Sequence, residues 1–152
     1  MPNPDAKDAQ LIMQLYDLRR ESEMRKARDW STQVFAPTSL EEIMAIFLAQ
    51  GSDQNRWLRQ VISYWEMVAS FVNRGVLNRD LLEDSVGEYV NIYSKFRPFL
   101  KEIRQTIGFP EFMSNIERLV EESERGRRLL TMMEKWTADR RAREAQQARK
   151  SA

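Results

Sequence analysis

The stretch that most constrains this chain is residues 52–104, which reads as a helical hairpin. Leu58, Val61, Trp65, Val68 and Val72 recur at the spacing of one helix face, and Ile62, Tyr64, Ala69 and Phe71 widen it. The spacing predicts a helix over Asp53–Asn73, capped by Ser52 or Asp53 and touching neighbours on several sides. Gly75 is the expected stop and Asn78 the next cap. Leu82, Val86, Tyr89, Tyr93 and Phe96 then line one face of a second helix that reaches Pro98. Two such helices joined by a tight turn commit the chain to an all-α fold.

The flanking segments extend that pattern. Leu11, Leu15, Leu18, Ala27 and Trp30 form a narrow apolar stripe, so one long helix is expected from Ala6 to about Gln33, with Glu21–Arg25 as a supporting pair. Pro37 ends it. Ser39 and Glu42 have capping-box spacing before IMAIFLAQ, a helix apolar on most faces and expected to be buried, with Gly51 as its stop. After Gly108-Phe109-Pro110 a further long helix is expected, carrying Phe112, Ile116, Leu119, Val120, Leu130, Met133 and Trp136. Ser123 and Gly126 interrupt its stripe, where the contact is either close and small or absent. The last residues, ADRRAREAQQARKSA, have no apolar stripe and are expected to project or fray.

Absent residue types narrow the chemistry further. The chain has no cysteine, which excludes disulfides, zinc–thiolate sites and thiol nucleophiles. It has no histidine, which removes the commonest general base and every Ser-His or Cys-His arrangement. No apolar run approaches the ~20 residues that would span a bilayer, and a cytoplasmic location is expected. The net charge of +1 hides a polarity. Up to Glu124 there are 15 basic and 20 acidic residues; from Arg125 onward there are 9 and 3. Such an imbalance suits head-to-tail association or an acidic partner.

Three groups of residues are candidates for chemistry. Asp80, Asp84 and Glu88 stand at i, i+4, i+8, a carboxylate ridge that an oxygen-liganded metal could use if other helices contributed acids. Against that stands a solvated face near a helix N-terminus. Glu66 lies within the most apolar helix and is expected to pair with Arg74, Arg97 or Arg104. The third group is the basic C-terminal run, with Arg125, Arg127, Arg128, Arg140, Arg141 and Arg143 as candidate partner-binding residues. Phosphate contact is one use of such a run, but Glu134, Asp139 and Glu144 interrupt it, and Trp136 is its only aromatic.

The segments ARDW, FAPTSLEEIMAIF, WLRQVISYWEMVASFVNRGVLNRDLL and YVNIYSKFRPFLKEIR, across residues 27–122, resemble an uncharacterised bacterial family of helical domains of unknown function. The order and spacing of Trp30, the capped short helix, the Arg74-Gly75 turn and the Arg97-Pro98 break carry the resemblance. It implies a compact helical binding or scaffolding module. Many such relatives carry an N-terminal membrane anchor, for which no segment is visible in this sequence. No catalytic residue follows from the resemblance.

The expected architecture is thus one all-α domain over residues 1–152. It is an irregular bundle of five or six helices around the hairpin, with its core at residues 6–136 and a basic tail at 137–152. The leading functional expectation is a non-enzymatic protein-interaction module that self-associates through apolar stripes on its terminal helices. The alternatives are nucleic-acid or anionic-surface binding through the basic helix and, more weakly, a metal-dependent hydrolase using the helix carboxylates. No cofactor is expected.

Overall fold

A computed structural model describes residues 3–151, and those residues are all-α. The helices are α1 (Ala6–Leu18), α2 (Ser22–Asp29), α3 (Leu40–Leu48), α4 (Asp53–Asn73), α5 (Arg79–Ser85), α6 (Glu88–Phe96), α7 (Leu100–Ile107), α8 (Ser114–Glu121) and α9 (Glu124–Ser151). A π-turn (Trp30–Val34) follows α2, and a 3-10 turn (Arg97–Phe99) precedes α7. The first arm of the expected hairpin and its turn form, but the second arm is broken and its pieces do not pair closely with the first: α4 packs mainly on α8 and α2, and α6 on α9 and α8. Ser52 caps α4 by accepting from Asn55 N–H at 3.2 Å. Gly75 adopts φ 71°, Val76 N–H reaches back to the Phe71 carbonyl, and the Asn78 side chain accepts from Leu81 N–H. α4 is the central helix, burying Leu58, Val61, Trp65, Val68, Ala69 and Val72 against α2, α8, α3 and the π-turn. Truncating one of its large side chains to Ala would cost about 2–5 kcal/mol.

Three of the expected helices are each split in two. The first breaks at Arg19–Arg20, where Glu21 becomes the cap of α2 and accepts from Met24 N–H at 2.9 Å. The reason is phase. Met24 lies nine residues after the buried Leu15, about two and a half turns, so an unbroken helix would aim the two in opposite directions. The break turns Met24 and Ala27 into the core. Glu21 is therefore a cap and not a partner of Arg25, whose guanidinium donates to the Arg20 carbonyl. Its backbone N–H donors, Met24 first, hold its carboxyl below the usual range.

The second break falls at Val86-Gly87, with Val86 extended at φ −158° and ψ 146°. A β-branched residue beside a glycine is weak ground for a helix. The third separates α8 from α9 at Glu122-Ser123, after a turn over residues 110–113 that replaces the expected start at Pro110. Ser123 Oγ accepts from Gly126 N–H at 3.0 Å, and a Cβ at Gly126 would stand 2.4 Å from the Val120 carbonyl oxygen. The interrupted stripe is thus a close, small contact: only glycine lets α9 cross the end of α8 so tightly.

α3 corrects another expectation. Only Ile43 is buried, while Leu48 is 76% exposed, because α3 lies on the rim and meets α4 and α7 with one face. Its capping box is shifted by one residue, since Glu42 accepts from Thr38 N–H while Ser39 Oγ accepts from Glu42 N–H. At the other end of the chain, α9 buries Gly126 and Leu130 and continues as helix to Ser151 with residues 138–151 exposed.

Candidate functional site

Charges that reach helix ends organise the interior. Glu66 on α4 does not pair with Arg74, Arg97 or Arg104. Its carboxylate accepts from Asn115 N–H (2.9 Å), Asn115 Nδ2 (3.0 Å) and Ile116 N–H (3.0 Å), the opening residues of α8. An anion there meets unsatisfied N–H groups and the positive end of the helix dipole, which explains why it lies inside an apolar helix. Arg104 instead holds Glu117 at 2.7 Å and the Phe112 carbonyl at 3.0 Å, and Arg97 spans Glu121 and Glu134.

Lys95 on α6 mirrors Glu66. Its ammonium donates to the Ser31 carbonyl and to the Thr32 carbonyl at 3.3 Å. These carbonyls lie in the π-turn, where Phe35 N–H returns to the Trp30 carbonyl and the chain then leaves the helix. A cation at a helix C-terminus is favourable. Yet burial, then the Arg140 guanidinium, pushes the Lys95 ammonium down to about 8 from an ordinary 10.5.

Lys95 opens into a groove of about 420 Å³ between α6, the 3-10 turn and α9, lined also by Ala36 and Pro37. Phe99, Met133 and Trp136 give it an apolar wall, and Arg140 and Arg141 join Lys95 on its polar side. Arg141 Nη2 donates to the Pro37 carbonyl at 2.7 Å, which fastens α9 to the loop after the π-turn. Sequence reasoning did not single out Lys95. Its sequence signal was bland, because at helical spacing it shares a stripe with Glu88 and Asn91, as a lysine on a solvated face would.

The six candidate arginines do not form one surface. Arg125 meets Asp84, Arg127 donates to the Glu121 carbonyl, and Arg128 stands 3.6 Å from Glu124, all near the start of α9. Arg140 and Arg141 lie at the groove, while Arg143 donates to the Asp139 carbonyl on the exposed helix. The carboxylate ridge is dismantled by the break at Val86-Gly87. Asp84 faces Arg125, and Glu88 turns inward to Arg28 (2.8 Å) and the Trp65 indole N–H (3.1 Å). Among the described residues, no three acidic side chains gather in a way that could hold a metal ion. No helix among them is long and apolar enough to cross a membrane.

No curated protein and no solved structure matches this chain. A family does, and its match runs over residues 4–124, taking in α1 before the stretch that carried the resemblance and stopping where α9 starts. Helices α1 to α8, with the Glu66 and Lys95 caps, lie inside that match, and the chain belongs to the family described as Domain of unknown function (DUF4760).

Proposed function

We propose that this protein is a non-enzymatic, cytoplasmic interaction module that self-associates, with the distal part of α9 as its docking element. The observation that carries the reading is the exposed, basic helix over residues 138–151, attached to a body that is net acidic up to Glu124. Residues 137–151 hold five basic and two acidic side chains and no large apolar one. A helix of that composition gains little from its own chain and is best covered by opposite charge. The apolar stripes that first suggested pairing between terminal helices are largely used within the chain: Leu11, Ile12 and Leu15 of α1, and Leu129, Leu130 and Met133 of α9, pack on the core. Association is therefore electrostatic in this reading, the arm of one copy against the acidic body of another.

Light scattering coupled to size exclusion tests it, on the full chain and on a chain ending at Ala142. An earlier cut at Glu124 would remove Leu130, which is only 3% exposed, and open the core. A dimer or larger assembly at low salt, lost in high salt and lost on truncation, is the expected result. A strict monomer at high concentration and low salt overturns it. The alternative use of the same arm, binding to nucleic acid or another anionic surface, is favoured by the exposure of Arg143, Arg149 and Lys150. It predicts a gel shift at low salt that disappears with the arm.

A further inference from the structure

The groove beside Lys95 carries an inference independent of self-association. Its charged lining is lopsided. Lys95, Arg140 and Arg141 face it, and the one carboxylate among its lining residues, Glu134, is held by Arg97 at 3.0 Å. Lys95 is satisfied by two neutral carbonyls, Arg141 by another, and the ion-pair partner of Arg140 among the described residues is Glu144, exposed and 3.5 Å away. The mostly buried Lys95 ammonium thus feels the exposed Arg140 guanidinium at the mouth of the groove, and no carboxylate among the described residues pairs with both. A buried ammonium beside a like charge carries a cost that a bound anion lowers. Burial and Arg140 together lower the proton affinity of Lys95, which is the electrostatic signature of that cost.

The rest of the wall is apolar or unfinished. Phe99 and Met133 are half-buried, and Trp136 is 56% exposed although it lines the groove. Asn91 Oδ1 stands in the same wall, buried and without a hydrogen-bond partner among the described residues. A volume of about 420 Å³ lies within the ordinary range of small-molecule sites. We propose that this groove binds a small organic carboxylate, its head held by Lys95 and Arg140 and its apolar body laid against Phe99, Met133 and Trp136. A monoanion fits better than a phosphate dianion, since Glu134 and Glu144 border the cations and leave a modest positive excess. Asn91 would favour a body that carries a hydroxyl or amide donor.

The test is an NMR titration of the full chain with octanoate, octanol and octyl phosphate, followed at the indole N–H signals of the four tryptophans. Octanoate should move the Trp136 signal saturably, with a Kd of about 1 mM or tighter, and leave Trp65 in the core unmoved. Octanol should bind at least tenfold more weakly, as should octanoate to Lys95→Met. Arg140 is exposed, so Arg140→Gln keeps the fold and should weaken octanoate severalfold; it decides the matter if Lys95→Met does not fold. Equal binding of octanol and octanoate overturns the role of the cations. Tighter binding of octyl phosphate overturns the choice of a carboxylate, and an unmoved Trp136 overturns the site. None of these outcomes depends on the oligomeric state.

Discussion

Glu66 on α4 and Lys95 on α6 each cap the end of another helix, with opposite charge and in different surroundings. Glu66 faces the N-terminus of α8, where three N–H donors converge on its two oxygens. Lys95 faces the carbonyls of the π-turn, but shares its pocket with Arg140 and borders an open groove. One cap is complete within the chain. The other works against a like charge that a purely structural site would have no reason to keep. The contrast separates a charge that explains the fold from a charge that points beyond it.

The strongest challenge to that contrast is Glu66→Ala. It removes a carboxylate that accepts three hydrogen bonds and leaves Asn115 and Ile116 N–H groups unpaired, so unfolding in urea should show a loss of about 2–3 kcal/mol. A loss well under about 1 kcal/mol would mean that water replaces the cap, and the two sites would no longer differ in kind. Gly126→Ala comes next, because it pushes α9 off Val120 and with it the groove wall; about 2 kcal/mol is expected, from the same measurement.

Lys95 makes a smaller prediction with a definite sign. Its proton affinity is lower in the folded chain, about 8, than the ordinary 10.5. Below pH 8 both states hold the proton and the penalty is fully present. Between about 8 and 10 the unfolded chain holds more protons, so stability rises with pH, by about 1–2 kcal/mol. Above about 10 the trend reverses. Burial raises Tyr64 to about 12 and also raises Tyr89 and Tyr93, so unfolded tyrosines ionise while folded ones do not. Denaturant melts across this range should show the rise in the native chain and lose it in Lys95→Met. A rise that persists in the variant would assign it to another group.

The sequence made α4 and the turn after it legible because their signals are local: a wide apolar face on α4, Gly75 at φ 71°, and Asn78 capping Leu81. The breaks were harder to read. Glu21, Val86-Gly87 and Ser123 interrupt helices whose apolar spacing looks continuous, and the interruptions serve tertiary needs: Met24 turned inward, Glu88 turned toward Arg28, α9 laid across Val120. Asp8 shows the same limit, since it closes the cap on α1 and also accepts from Asn78 N–H at 2.8 Å, seventy residues away. The candidate arginines were visible as a run in sequence. Their separation was not, because Asp84 and the Pro37 carbonyl, which hold Arg125 and Arg141, lie far from them along the chain. Lys95 went unread for a related reason: its meaning lies in two carbonyls and a guanidinium from other elements.

The smallest predicted effect sharpens the contrast most. A cut after Ala142 leaves Arg140 and Arg141 in place and removes only exposed residues, so stability should change by less than about 0.5 kcal/mol. The rise in stability between pH 8 and 10 should survive that cut unchanged. A cut after Trp136 keeps Leu130 and Met133 on the core but removes Arg140. With the like charge gone, Lys95 holds its proton to higher pH, and the rise should shrink without vanishing, because burial, the larger cause, remains. Neither cut approaches the contact of Glu66 with α8, so the cost of Glu66→Ala should be the same in all three lengths. A rise that is equal at every length would show that Arg140 does not act on Lys95. The cation pair that distinguishes this groove from an ordinary helix cap would then be gone.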